Sequence, residues 1–245
     1  MIIPKKSLGQ NFLQDKNIVN KIINSIDISN NNIIEIGPGL GILTEKIIKL
    51  NPMKFLVIEK DIHLYKYLKK KFNNKKILII NDDALSFDFT KLSKYKIISN
   101  LPYNISSKFL LKLIKRNKNI IEIVCMIQSE LAKKFDYNNG KMNKYKFLSK
   151  FCGKYEILFN VSPNVFYPKP KVMSKVVRFN LNNKSFNIRK LDLFIKLFFI
   201  NKRKKINSNN YLKKIIDKKY LDQRYEDLKY KDILEIYKKF NFSIS

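Results

Sequence analysis

The sequence predicts an α/β fold: a mostly parallel, doubly wound sheet with antiparallel closing strands, followed by a small all-helical C-terminal domain. Three observations carry that reading. Short apolar runs alternate with amphipathic stretches through the first half of the chain, the pattern of strands joined by crossover helices. Two later apolar runs, 155–161 and 175–181, look like a closing antiparallel pair. From Asn187 the apolar spacing turns helical and stays so, with Leu191, Phe194, Ile195, Phe198 and Phe199 in register. The polar stretch 182–187 places the boundary, giving domains at 1–185 and 186–245. A chain of 245 residues, 45% hydrophobic and 13% aromatic, can bury the core this requires.

Along the chain, Asp15 is an N-cap for a helix that puts Ile18, Val19, Ile22, Ile23 and Ile26 on one face. Strands follow at 32–36, 54–58, 77–80, 96–99 and 120–127, with helices at 42–50, 62–72 and 106–115 between them. A polar, mobile loop at 136–143 and a further helix lead into the closing pair.

Several chemistries are excluded. No apolar run approaches the roughly 20 residues of a membrane span. The start, Met1 to Lys6, has no apolar segment of the kind a signal peptide needs, and cytoplasmic residence is expected. Cys125 and Cys152 then read as reduced thiols. His63 is the only histidine, which removes a histidine-dependent triad and leaves too few clustered ligands for a metal. The 50 Lys+Arg against 20 Asp+Glu give a net charge of +30, and a polyanionic partner is one reading. The other is compositional: five arginines among those 50 bases, beside abundant Asn, Ile, Phe and Tyr, match A+T-rich codons. The segment 186–245 holds 16 bases and 7 acids, so its +9 leaves +21 for the rest and the excess is not concentrated.

Glu35-Ile-Gly37-Pro-Gly39-Leu-Gly41 follows the first sheet strand and opens a helix. The dinucleotide fingerprint fails, because its third glycine would fall on Ile42. The form E-x-G-x-G-x-G instead fits S-adenosylmethionine, whose bound part has no pyrophosphate needing the helix end. Glu59 ends the second strand, where a carboxylate can accept both ribose hydroxyls. Asp83-Ala84, past the third strand, belongs beside the adenine, with Asp83 accepting from the exocyclic amine.

Asn100-Leu101-Pro102-Tyr103 follows the fourth strand at the edge where ligands bind. An exocyclic amine is a poor nucleophile because its lone pair is delocalised into the ring. Two acceptors that take its hydrogens favour pyramidal nitrogen and aim the lone pair. The Asn100 side-chain oxygen and the Leu101 carbonyl can be those acceptors, the latter turned outward because Pro102 forces its neighbour extended. Tyr103 offers a ring on which an unstacked base can lie, and its hydroxyl is not needed for that.

With these motifs in hand, the chain resembles the rRNA adenine N6-methyltransferases, and among them the KsgA-type small-subunit (16S) rRNA adenine N6,N6-dimethyltransferases. The resemblance covers nearly the whole chain. It runs through 6–13 (KSLGQNFL), 35–41, 57–59, Asp83-Ala84, 100–106 (NLPYNIS) and 166–174 (FYPKPKVMS). It implies a class I, Rossmann-like S-adenosylmethionine-dependent methyltransferase domain at 1–185 and an RNA-docking helical domain at 186–245. It implies a cofactor site of Asn11, Leu13, Gly37, Glu59, Asp83 and Asn100, with Gln10 in the segment closing over it. Asn100, Leu101, Pro102 and Tyr103 would hold the target, and Phe166 would be the aromatic wall opposite Tyr103. The basic run Lys202, Arg203, Lys204 and Lys205 would meet RNA phosphates. The implied partner is small-subunit rRNA within a ribosomal small subunit or its precursor, with no membrane, no metal and no obligate protein partner. Related large-subunit enzymes of the macrolide-resistance type are the alternative. They usually carry Gly-Thr-Gly at 37–39 and His at 104, where this chain has Gly37-Pro38-Gly39 and Asn104. A non-catalytic rRNA-binding assembly factor is the second alternative, but it would have no need of Gly37, Glu59 or Asn100. A small-molecule methyltransferase would lack the Asn-Leu-Pro-Tyr run. Two departures stand out: Lys146-Phe147 replaces a common Gly-Arg pair, and the tail is short and lysine-rich.

Overall fold

A computed structural model describes residues 4–73, 76–92, 94–116, 118–200, 203–210 and 212–240. A short strand β1 (Phe12–Leu13) precedes helix α1 (Lys16–Ile23). Then follow β2 (Asn32–Ile36), α2 (Ile42–Lys49), β3 (Lys54–Glu59), α3 (Ile62–Lys71), β4 (Leu78–Asn81), β5 (Tyr95–Asn100) and α4 (Tyr103–Leu113). The second half carries β6 (Ile120–Gln128), α5 (Ser129–Phe135), α6 (Lys144–Cys152), β7 (Gly153–Val161), β8 (Phe166–Tyr167) and β9 (Ser174–Leu181). Helices α7 (Ile188–Phe199), α8 (Leu212–Ile215) and α9 (Tyr230–Lys239) end it.

Seven strands pair in the order β4-β3-β2-β5-β6-β9-β7, parallel as far as β6 and antiparallel at β9 and β7. The chain winds outward from β2 to β4, then returns to β5 on the other side of β2. Crevices for ligands open at the carboxyl ends of the strands flanking such a switch. Alternation along the strands divides the core. Ile33, Phe55, Val57, Ile98 and Val124 pack with Val19, Ile22, Leu43, Ile47 and Leu68 of α1–α3. Ile34, Leu56, Ile58, Ile97 and Cys125 pack with Phe109, Leu110 and Leu113 of α4 and with α5–α7.

Local chemistry explains the boundaries. Asp15 caps α1 as expected, its Oδ1 accepting from the N–H groups of Asn17 (2.8 Å) and Ile18 (2.9 Å). Helix α4 begins at Tyr103, three residues before the expected start. Pro102, at φ −54°, is already suited to a helix entrance, and its carbonyl accepts from the N–H of Ser106 (3.1 Å) and the Ser106 hydroxyl (2.8 Å). Tyr103 therefore sits on a helical first turn rather than in a loop.

The tail is helical as expected, in several short pieces. Between α7 and α9 it is built mainly of single 3-10 turns at Ile206–Ser208, Lys218–Tyr220 and Tyr225–Asp227, besides the one-turn α8. Asn, Asp and Lys interrupt the apolar period there, so aromatic anchors hold the turns instead. Phe198 packs on Tyr225 at 4.8 Å between ring centroids, and Phe194 on Phe240 at 5.4 Å. The same cluster reaches Phe147 of α6, 5.8 Å from Phe194, so the tail completes the core under one face of the sheet.

The loop 136–143, expected as a polar connection, is held by hydrogen bonds at several points. Lys146 is buried (1% exposed), and its ammonium donates to the carbonyls of Asn139, Gly140 (2.6 Å) and Lys141 (2.8 Å). Burial lowers its pKa, opposed by the Asp136 charge. The Met142 N–H donates to the Glu226 carbonyl at 3.0 Å, fastening the loop to the tail. Lys146 and the fully buried Phe147 thus close a loop and fill the core.

Candidate active site at the sheet switch point

Gly37, Gly39 and Gly41 all take positive φ, at +61°, +59° and +79°. The Gly37 N–H donates to the Ile58 carbonyl (2.9 Å), fixing the turn against β3. A Cβ on Gly39 would lie 2.9 Å from the Phe12 ring, because the N-terminal segment crosses directly over the turn. The resulting cleft is lined by the turn, residues 8–13, the ends of β2, β3 and β5, the Asp82–Ala84 loop and the start of α4.

Two carboxyls stand in its wall. Glu59 is 5% exposed, its Oε1 accepts from the Asp61 N–H at 2.8 Å, and burial pushes its pKa up to about 7. Glu35, on the neighbouring β2, is buried further. Desolvation raises its pKa to about 8, against the Thr44 hydroxyl that donates to Oε2 (2.6 Å) and with help from the nearby Glu59 charge. Glu35 Oε1 is buried without a hydrogen-bond partner. Sequence reasoning gave Glu35 no role beyond opening the glycine motif. The available signal was an acid set between isoleucines in the strand Asn32-Ile-Ile-Glu-Ile36. Asp83 lies past β4 as expected. The Lys60 ammonium, 2.8 Å from Oδ2, holds its carboxyl below the usual range, and Oδ1 accepts from the Leu85 N–H (2.9 Å).

Asn100 ends β5, and its amide nitrogen donates to the Asn11 carbonyl at 2.9 Å. That bond fixes the amide's orientation and leaves Oδ1 as an acceptor at the cleft wall. The Leu101 N–H donates to the Met126 carbonyl (3.2 Å), so the peptide is held from the β6 side. Tyr103 is half-buried, with its hydroxyl 2.5 Å from that of the buried Ser174. The hydroxyl, expected to be idle, anchors the ring to β9.

Asn11 and Leu13 come to the cleft through β1, which pairs antiparallel with β8 in the register Leu13↔Phe166 and Phe12↔Tyr167. The motifs at 6–13 and 166–174 therefore form one small sheet. Phe166, expected opposite Tyr103, is 4% exposed and packed with Leu13, Val161 and Val176, while Tyr167 is 58% exposed. The pairing register turns Phe166 inward because neighbouring strand residues face opposite ways. The N-terminal segment has a second anchor that the sequence did not disclose. Lys5 (2.9 Å) and the Gln10 amide (3.2 Å) both reach the carboxylate of Asp61, the N-cap of α3. Burial opposes ionisation there, yet these donors and the His63 N–H hold Asp61 below its ordinary pKa.

Residues 3–243 match the family model described as ribosomal RNA adenine dimethylase. The chain belongs to that family. The protein named ribosomal RNA small subunit methyltransferase A of Malacoplasma penetrans is 41% identical over 220 residues, 85% of this chain and 79% of its own length. Those of Mycoplasma mobile (38%; 87% and 84%) and Campylobacter fetus (40%; 85% and 81%) bear the same name. Among solved structures, a dimethyladenosine transferase from Plasmodium falciparum superposes with a TM-score of 0.77 at 24% identity, covering 92% of this chain and 95% of that one. The 23S rRNA methyltransferase ErmE gives 0.73 at 19%, covering 94% and 99%. These likenesses show the fold: a Rossmann-like methyltransferase sheet with a helical C-terminal region.

In this dimethylase the donor set fits S-adenosylmethionine. Glycine backbone lines the cleft, Glu59 presents a carboxyl able to accept from ribose hydroxyls, and the neighbouring Glu35 Oε1 is buried with no hydrogen-bond partner. Among the described residues no cluster of His, Cys, Asp or Glu could hold a metal, and no helix is long and apolar enough to cross a membrane. Of the basic run, Lys202 lies outside the described residues. Arg203, Lys204 and Lys205 are exposed, and Lys205 pairs with Asp222 at 3.3 Å.

Proposed function

We propose that the chain transfers methyl groups from S-adenosyl-L-methionine to N6 of two adjacent adenosines near the 3′ end of small-subunit rRNA, giving N6-dimethyladenosines. The observation that carries this is Asn100, whose amide is oriented by Asn11 so that an acceptor faces the cleft beside the glycine turn. The similarity to proteins named small subunit methyltransferase A supplies the substrate. The bound cofactor supplies an electrophilic methyl on a sulfonium. Asn100 Oδ1 and the Leu101 carbonyl would accept the two N–H hydrogens of the unmodified amine, or the one left after the first methylation, and hold its lone pair toward that methyl; the proton shed by the nitrogen at each transfer would pass to water. Tyr103, anchored through Ser174, carries the unstacked base on its ring. Catalysis is thus positioning and electrostatics, and no strong base is required.

The substrate is a small ribosomal subunit or its precursor, in the cytoplasm, and methylation belongs to its biogenesis. In this reading residues 1–185 do the chemistry and 186–245 dock RNA. Labelled methyl should pass to small-subunit RNA lacking the mark and not to large-subunit RNA. The reverse preference would assign the chain to the large-subunit enzymes.

The basic run at 202–205 is the candidate docking site. Neutralising Lys202, Arg203, Lys204 and Lys205 together is expected to weaken RNA binding. It should flatten the dependence of log K on log salt by roughly 0.7–0.9 for each phosphate that the variant no longer neutralises. Filter binding across a salt series measures this. An unchanged slope would show that the run is a solvated face and its charge compositional.

A further inference from the structure

The residue motifs leave Lys112 without a role, yet it links the two halves of the cleft. It lies near the end of α4, the helix that begins at Tyr103. Its ammonium donates to the carbonyls of Leu85 (2.8 Å) and Phe87 (2.7 Å), on the loop that follows Asp83. That loop is a closed turn. The Asp83 carbonyl accepts from the N–H groups of Ser86 and Phe87, both at 2.9 Å, and its Oδ1 accepts from the Leu85 N–H. The direction of the Asp83 carboxylate is therefore tied to the path of residues 85–87. Lys112 holds that path from behind, with its ammonium 5.3 Å from the centre of the Phe89 ring. Burial and the neighbouring Arg116 both press on the ammonium, so its place there is maintained by the two carbonyls and by the acids Asp82, Asp83 and Asp88.

We propose that Lys112 is a positioning residue for cofactor recognition: by clamping the Leu85 and Phe87 carbonyls to α4, it sets Asp83 to accept from the adenine amine. The inference rests on reading the cleft as an S-adenosylmethionine site. It makes one helix carry the target-binding motif at its start and the strut for the cofactor's adenine wall near its end. Lysine suits this role because a single ammonium can serve two carbonyls that diverge from one turn.

The test compares binding of S-adenosylhomocysteine with that of S-inosylhomocysteine, in which a carbonyl replaces the exocyclic amine. Wild-type protein is expected to prefer the adenosyl ligand by roughly 10- to 100-fold, since the analogue turns an acceptor toward Asp83. In Lys112→Met the preference should fall below about threefold, and Lys112→Arg should restore most of it. Lys112→Gln, with a neutral amide on a shorter stem, gives the same readout if the methionine variant fails to fold. Equal weakening of both ligands, or an unchanged ratio, would overturn the proposal, because general destabilisation does not select between them. Asp83→Ala separates the levels. If it keeps the wild-type preference, the adenine role of Asp83 fails and the strut with it. If it loses the preference while Lys112→Met retains it, the role of Lys112 alone is refuted.

Discussion

Asn100→Ala is expected to fold, to bind RNA as the parent does, and to lose turnover by a factor on the order of 10²–10³, the loss seen when one preorganised polar partner leaves a transition state. The geometry gives the reason. Asn100 spends its amide nitrogen on the Asn11 carbonyl at 2.9 Å, which leaves the oxygen already oriented before any substrate arrives. Asn100→Asp should not rescue the rate. It keeps an acceptor but sets a carboxylate oxygen against the Asn11 carbonyl, with no hydrogen between them. Single-turnover rates at saturating RNA and cofactor, with melting temperatures as the check on folding, measure both variants. Normal turnover in Asn100→Ala would remove the proposed mechanism.

Glu59→Ala is expected to weaken cofactor binding by roughly 1.5–3 kcal/mol at pH 8, the range for hydrogen bonds to a charged group, or about 10- to 150-fold. The effect should depend on pH. With the Glu59 pKa raised to about 7 by burial, the group is ionised at pH 8 and largely protonated near pH 5.5. A neutral carboxyl is the weaker acceptor, so wild-type affinity should rise with pH through about 7 and the gap to the alanine variant should narrow below it. Stability of the free protein runs the other way. The folded state holds the Glu59 proton more tightly than the unfolded chain does, so stability falls as pH rises between 4.5 and about 7. Calorimetric titration at several pH values gives the affinities. A pH-independent gap would count against Glu59 as the ribose acceptor.

The sheet is legible in the sequence because strands buried on both faces read as apolar runs and helices as amphipathic ones. Runs such as Lys54–Glu59 and Ile120–Gln128 can be placed to within a residue at either end. The glycine turn and Asp15 are legible because their chemistry is local. What fails to show is non-local or too short. The pairing of β1 with β8 joins two-residue strands some 150 positions apart, so nothing local signals that Phe166 turns inward. Helix α5 has only seven residues, too few for a period to stand out. Lys146 and Lys112 look like two more charges in a lysine-rich chain, yet one closes a loop and the other clamps a turn, through carbonyls that carry no sequence signal. The Tyr103 hydroxyl looks dispensable in the sequence because its partner, Ser174, lies 71 residues away on another strand.

The central claim is the identity of the product. Small subunits lacking the mark should be treated with the purified protein and S-adenosylmethionine, and the RNA digested and mapped by mass spectrometry. Two neighbouring adenosines near the 3′ end of the small-subunit RNA, each bearing two methyl groups on N6, are predicted. Methyl groups on a single adenine of large-subunit RNA, or no transfer to either RNA, would contradict the account.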